Sequence, residues 1–153
     1  MARQKTDVAI QVEKEHECIQ RDMRRIGEEV MKDVSFEDFP DWRLEFLWRL
    51  RDFRLHILKH IDLEEEGGFM HEILEEAPEV INAVKKLEKE HDEIVRIMDE
   101  ILDLLKHMEF KNDAKIAIIR EHVLGMIAAI HQHEDEESEL IQKAYYQVYG
   151  YPA

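Results

Sequence analysis

The sequence predicts an all-α fold, an up-down-up-down antiparallel four-helix bundle, and three observations carry the prediction. Four long stretches place apolar residues at alternating three- and four-residue steps, the period of a helix that buries one face. Short breaks punctuate them at Phe39-Pro40-Asp41, Gly67-Gly68, Ala77-Pro78 and Phe110-Lys111-Asn112-Asp113. Glycine (5) and proline (3) are too scarce among 153 residues for the many tight turns of an all-β chain. That length suits one domain with a sizeable core.

The first helix is expected over residues 6–33, with Val12, His16, Ile19, Met23, Ile26 and Val30 facing inward. The second, over 41–66, turns Phe46, Leu50, Phe53, Ile57, His60 and Glu64 inward. A turn or two of helix over 69–76 connects it to the third, over 78–107, which begins at Pro78, a residue suited to a first helical turn. Its stripe is Val80, Val84, Leu87, His91, Ile94, Met98, Ile101 and Leu105. The fourth helix, over 113–148 with Asp113 as its expected N-cap, carries Ile116, Ile119, Val123, Met126, Ile130, His133, Glu137, Leu140 and Ala144. All connections are short, so neighbouring helices should run antiparallel.

Composition narrows the function. A net charge of −15 suits neither nucleic acid nor an anionic membrane, both of which need a basic face. The single cysteine, Cys18, can make neither an internal disulfide nor a Cys-rich zinc site. No apolar run has the length of a membrane span or the character of a secretory signal, so a cytoplasmic location is expected. Motifs for phosphate cradles, dinucleotides and serine hydrolases are missing.

Histidine is the exception, with nine copies. Four of them, His16, His60, His91 and His133, stand one per helix on the inward stripes, and Glu64 and Glu137 join two of them. Buried carboxylates are costly unless paired or bound to a metal. His60 and Glu64 are four residues apart, as are His133 and Glu137, so each pair aims two ligands from one helix face at one point. Counting from the expected helix ends at about 1.5 Å per residue puts His16, His91, His133 and Glu137 within roughly one turn of a common level. The same count sets His60 and Glu64 nearer the bundle end by roughly 10 Å, a gap that a shift of about two to four residues in the helix ends partly covers, so one cluster of all six stays open.

Glu15-His16, His56-x3-His60-x3-Glu64-Glu65, Glu90-His91 and His133-Glu134-x2-Glu137 together resemble the hemerythrin-like (HHE cation-binding) domain family, in its order of helices and over nearly the whole chain. The resemblance implies two iron ions with a bridging oxo or hydroxo group. It makes His16, His60, His91 and His133 terminal imidazole ligands, and Glu64 and Glu137 bridging carboxylates. It also implies binding, sensing or reduction of a small oxidant: dioxygen, peroxide or nitric oxide. Oxygen carriers of the family have a further histidine where this chain has Val95, and an aspartate one residue beyond Glu137, so the pattern is closer to the bacterial hemerythrin-like domains. Two irons of about six-coordinate geometry offer roughly twelve positions, of which this set and the bridge leave two open. An open shell favours peroxidase-, catalase- or oxidase-like chemistry over reversible carriage, with a sensor as the other class. His56, one turn before His60, is either a further ligand or a neighbouring residue outside the ligand set.

Other readings compete for these residues. A ferritin-like di-iron carboxylate protein would use Glu13-x-x-His16 and Glu88-x-x-His91 with Glu64 and Glu137. It leaves His60 and His133 without a role. Zinc prefers four ligands and commonly sulfur in such structural sites, so it suits the set less well. A metal-free helical interaction bundle is the remaining class. His71, His107, His122 and His131 read as surface residues, and the acidic runs 64–66 and 134–139 as solvated faces apart from Glu64 and Glu137. Tyr145, Tyr146, Tyr149 and Tyr151 close the chain as an aromatic cap or a homodimer contact, with Tyr145 or Tyr146 the candidate for a redox-active residue.

Overall fold

A computed structural model describes residues 5–145, and among these the only regular structure is helical. Helix α1 spans Asp7–Met31, α2 Phe39–Glu65, α3 Phe69–Glu76, α4 Ile81–His107 and α5 Asp113–Tyr145. Thr6 caps α1, its Oγ1 accepting from the Ala9 amide at 3.3 Å. Pro40 lies in the first turn of α2, where a missing N–H costs nothing. Two expectations shift at the helix starts. Pro78 opens a single 3-10 turn, Pro78–Val80, and the α-helix begins only at Ile81. The cap of α5 is Asn112, whose Oδ1 accepts from the Lys115 amide at 3.0 Å, and Asp113 is already inside the helix. The expected end of the last helix at residue 148 lies outside the described residues.

The α2–α3 turn depends on both glycines. Gly68 has φ +92°, open to glycine and strained for other residues. A Cβ on Gly67 would lie 2.4 Å from the Leu63 carbonyl oxygen. The turn lets α3 fold over the bundle end, where Phe69, Met70 and Ile73 are buried.

The four long helices pack as a bundle in which α1 and α4 each contact both α2 and α5. Two arginines tie the far end together. Arg43 on α2 donates to the α4 carbonyls of Leu105 (3.0 Å) and Lys106 (3.3 Å). Arg120 on α5 donates to the carbonyls of Val30 (2.8 Å) and Lys32 (2.9 Å) where α1 ends. Both supply partners and positive charge to helix C-termini that otherwise expose unpaired carbonyls.

Every residue of the four inward stripes is buried, yet the apolar core is not continuous. A larger cluster runs from Ile19, Ile57, Ile94 and Ile130 to the Phe39 end, and a smaller one gathers Val12, Leu87 and Leu140 around α3. Along α1 and α4 the smaller cluster comes first and the larger follows; along α2 and α5 the order is reversed. Between the two lies a slab of buried polar side chains: His16, His60, Glu64, His91, His133, Glu134 and Glu137. No helix of the described residues is long and apolar enough to cross a membrane.

Candidate metal centre

Each slab histidine occupies a core position of its helix, with an isoleucine of the larger cluster three residues away (Ile19, Ile57, Ile94 and Ile130). The rings group as two pairs. His16 and His60 stand 5.1 Å apart between ring centroids, and His91 and His133 stand 4.7 Å apart. The depth expected for His60 and Glu64 is therefore wrong. They share the level of the other four residues, because α2 stops at that level and α3 finishes the bundle end in its place.

Glu64 and Glu137 each reach across the two pairs. Glu64 Oε1 is 3.0 Å from His60 Nε2 and 3.4 Å from His91 Nε2. Glu137 Oε1 is 3.3 Å from both His16 Nε2 and His133 Nε2. Two triads result, His16–His60–Glu137 and Glu64–His91–His133, with ligand atoms within 4.8 Å of one another inside each. Despite these contacts, the four Nε2 atoms and all four oxygens of Glu64 and Glu137 are buried without an aligned hydrogen-bond partner. Orphaned polar atoms on this scale are rare in folded interiors, and these are groups that could hold a metal ion.

The opposite ring nitrogens are held from outside. His60 Nδ1 bonds Glu15 at 2.6 Å, His133 Nδ1 bonds Glu90 at 3.0 Å and His91 Nδ1 bonds Glu65 at 3.2 Å. The carboxylate comes from an adjacent helix each time: α1 for α2, α4 for α5, and α2 for α4. A carboxylate on Nδ1 leaves Nε2 as the free donor atom and fixes the ring plane, the arrangement found around metal-bound histidines.

Burial sets the electrostatics. It would raise the Glu64 carboxyl, but the imidazoles of His60 and His91 outweigh it and hold the group at about 2. Burial lowers His60 and His91, and their carboxylate neighbours more than reverse it, so both end above the usual histidine value. His16 and His133 stay below that value, because burial outweighs Glu134 for the first and Glu64 and Glu90 for the second. Four imidazoles and two carboxylates form a mixed nitrogen and oxygen donor set of the kind that could hold iron or a related divalent metal.

No protein-family model, curated protein or solved structure matches the chain.

The remaining candidates separate cleanly. His56 stays outside both triads. It is half-buried between α1 and α2, and its Nδ1 meets Asp22 at 3.1 Å. His71, His107 and His131 are exposed, and His122, half-buried, bonds the Ile118 carbonyl at 2.8 Å. Tyr145 is buried in the smaller cluster beside Leu140 and Ile141, and Tyr146 lies outside the described residues. Glu88 is exposed and Glu13 pairs with Lys5 at 2.8 Å, so neither residue of the ferritin-like set beyond the six joins the centre.

Glu134 is the residue that the stripe reading missed. Expected on a solvated face, it is 4% exposed, and burial pushes its carboxyl up to about 7 against the pull of His16 and His60. The signal was in the spacing: position 134 is four residues after Ile130, three before Glu137 and seven before Ile141, all buried. The acidic run around it, with Asp135 and Glu139 exposed, concealed that periodicity.

Proposed function

We propose that this chain is a hemerythrin-like up-down-up-down antiparallel bundle that holds an iron pair and binds, senses or reduces a small oxidant such as dioxygen, peroxide or nitric oxide. One observation carries the reading: eight inward donor atoms, four imidazole nitrogens and four carboxylate oxygens, are buried with no aligned partner while the other nitrogen of three of the imidazoles is anchored by a carboxylate. The antiparallel arrangement is supported by the order of the two apolar clusters, which alternates from α1 to α2 to α4 to α5.

In this reading His16 and His60 hold one ion, and His91 and His133 the other. Glu64 and Glu137, each in contact with one histidine of either pair, are shared between them. An iron pair supplies Lewis acidity and redox capacity toward an oxygen- or nitrogen-based oxidant. The protein supplies selection and shielding. The isoleucines at the start of the larger cluster close one side of the centre, and a cavity of about 20 Å³ lies between them and His60, Glu64, His91 and His133. That space admits a molecule about the size of water. The buried Glu134 carboxyl borders the same cavity.

Anaerobic loading with ferrous iron, desalting and metal analysis test the proposal. About two irons per chain are expected, together with near-ultraviolet absorption on exposure to air. Fewer than about one iron per chain, or a His60→Ala/Glu64→Ala variant that binds as much as the parent, refutes it. A melting temperature unchanged by chelator would favour a metal-free bundle instead.

A further inference from the structure

We propose that Glu134 is a third carboxylate ligand of the metal centre, on the side of the His16–His60 pair. The inference rests on the reading of the slab as a metal site and adds a residue to it. Its strongest support is a comparison of α2 with α5, which carry the same spacing of histidine and shared glutamate. On α2 the order is His60-Ile61-x-x-Glu64-Glu65; on α5 it is His133-Glu134-x-x-Glu137-Ser138. On α2 the carboxylate that holds a neighbouring histidine from outside is Glu65, at the rim, bonded to His91 at 3.2 Å. The equivalent position on α5 is the exposed Ser138, and the acid has moved one helical turn deeper, to the place where α2 has Ile61. Ile61 and Glu134 both border the small cavity beside the centre.

Glu134 is not a fourth outer support of the usual kind. The side chains of Glu15, Glu65 and Glu90 are 21–36% exposed, so water completes their hydrogen bonding. That of Glu134 is 5% exposed, and its Oε2 stands 3.5 Å from His16 Nδ1, longer than any of the three rim contacts. Both of its oxygens are buried with no aligned hydrogen-bond partner. The neighbouring isoleucines offer no donor and the His16 Nδ1 contact is long, so a cation would answer the ionised carboxylate more fully than its neighbours do. Charge points the same way. Glu64 and Glu137 offset only half of the charge brought by two divalent ions, and a buried surplus of charge is costly. With Glu134 in the set, one fewer position stays open for an outside ligand.

The test uses the full chain with Glu134→Leu and Glu134→Gln, read by stability and by cobalt(II) binding. Removing an unanswered buried carboxylate should raise the melting temperature of the chelator-treated leucine variant by about 3–6 °C. The same change should weaken binding of one of the two cobalt ions by about tenfold to a hundredfold. It should also intensify that ion's visible absorption, because loss of a ligand lowers its coordination number. Glutamine, which keeps the shape and loses the charge, should show the same changes to a smaller degree, and it carries the test if the leucine variant does not fold. Cobalt affinity and spectrum equal to the parent in both variants would overturn the inference and leave the metal reading standing. A fall in metal-free melting temperature alongside the lost affinity would also overturn it, since that marks a support for His16. If the parent binds no cobalt or iron, the metal reading fails and this inference with it.

Discussion

Glutamine at position 64 is the most informative single change, because it alters charge at constant volume in a side chain that is fully buried. The ionised carboxylate lies 3.0 Å from His60 Nε2 and 3.4 Å from His91 Nε2. Burial disfavours the charge, and the two imidazoles still hold the group at about 2 rather than 4.5. At about 1.4 kcal/mol per pH unit, ionised Glu64 contributes roughly 3 kcal/mol of stability over its protonated form. Neither contact is an aligned hydrogen bond, which makes that an upper figure and about 1–3 kcal/mol the working range.

The pH dependence follows from the signs. A depressed carboxyl contributes above its ordinary value, and the contribution is lost as pH falls toward 2. His60 and His91 are raised, so their contribution is complete below 6.5 and disappears as pH rises through their folded values. The two conditions overlap between about pH 4.5 and a little above pH 6.5. In that window Glu64→Gln should destabilise the metal-free protein by about 1–3 kcal/mol in urea melts followed by helical circular dichroism. As pH rises through the folded values of His60 and His91, the imidazoles lose their charge, Glu64 becomes a buried charge without a counterion, and the deficit should shrink toward zero or change sign. A deficit of equal size at about pH 5.5 and pH 9, or a variant more stable than the parent at about pH 5.5, would refute this account of the slab.

Three further outcomes are expected. Metal affinity should fall by about tenfold or more per pH unit below neutrality, as protons compete for the raised His60 and His91, and chelator competition at about pH 6 and pH 8 measures it; a flat profile counts against imidazole ligation. Glu15→Gln, which weakens the 2.6 Å contact to His60 Nδ1, should cost about tenfold to a hundredfold in affinity for one ion, with little loss of helix content. Phe46→Ala, in the larger apolar cluster, should cost about 3–5 kcal/mol in urea melts and leave the number of metal ions bound per folded chain unchanged.

Most of the architecture was legible because it is local. A stripe at helical period is a property of one segment, and all of the stripe residues, including the six slab residues read from spacing, are buried. Relations between segments were less legible. The level of His60 and Glu64 was misjudged because distance from a helix end stood in for distance from the bundle end. Those differ here, since the Gly67-Gly68 turn stops α2 at the slab and hands the last layer to Phe69, Met70 and Ile73. The outer supports were hidden for a similar reason. Glu15 sits beside His16 in the chain but bonds His60, and Glu90 sits beside His91 but bonds His133. Adjacency in sequence suggests partners within a helix, whereas these partners are set by packing.

The slab also bears on what the fold is for. Seven buried polar side chains divide a core that the rest of each stripe would have made continuous, and the cost of burying their charges is several kcal/mol per unpaired ion. Neighbours answer that cost only in part. Three of the histidines gain a close carboxylate on one nitrogen, while the inward nitrogens and the oxygens of Glu64, Glu134 and Glu137 gain no aligned hydrogen bond. A bundle selected only for stability would replace such a layer with apolar residues like the isoleucines beside it on every long helix. Local rules broken together at one level, in all four long helices, single out that level as the candidate functional site. The sign of each mutation's effect on the metal-free chain then separates parts that hold the slab together from parts that wait for a ligand. Glu64→Gln should weaken the chain near pH 6, and Glu134→Leu should strengthen it.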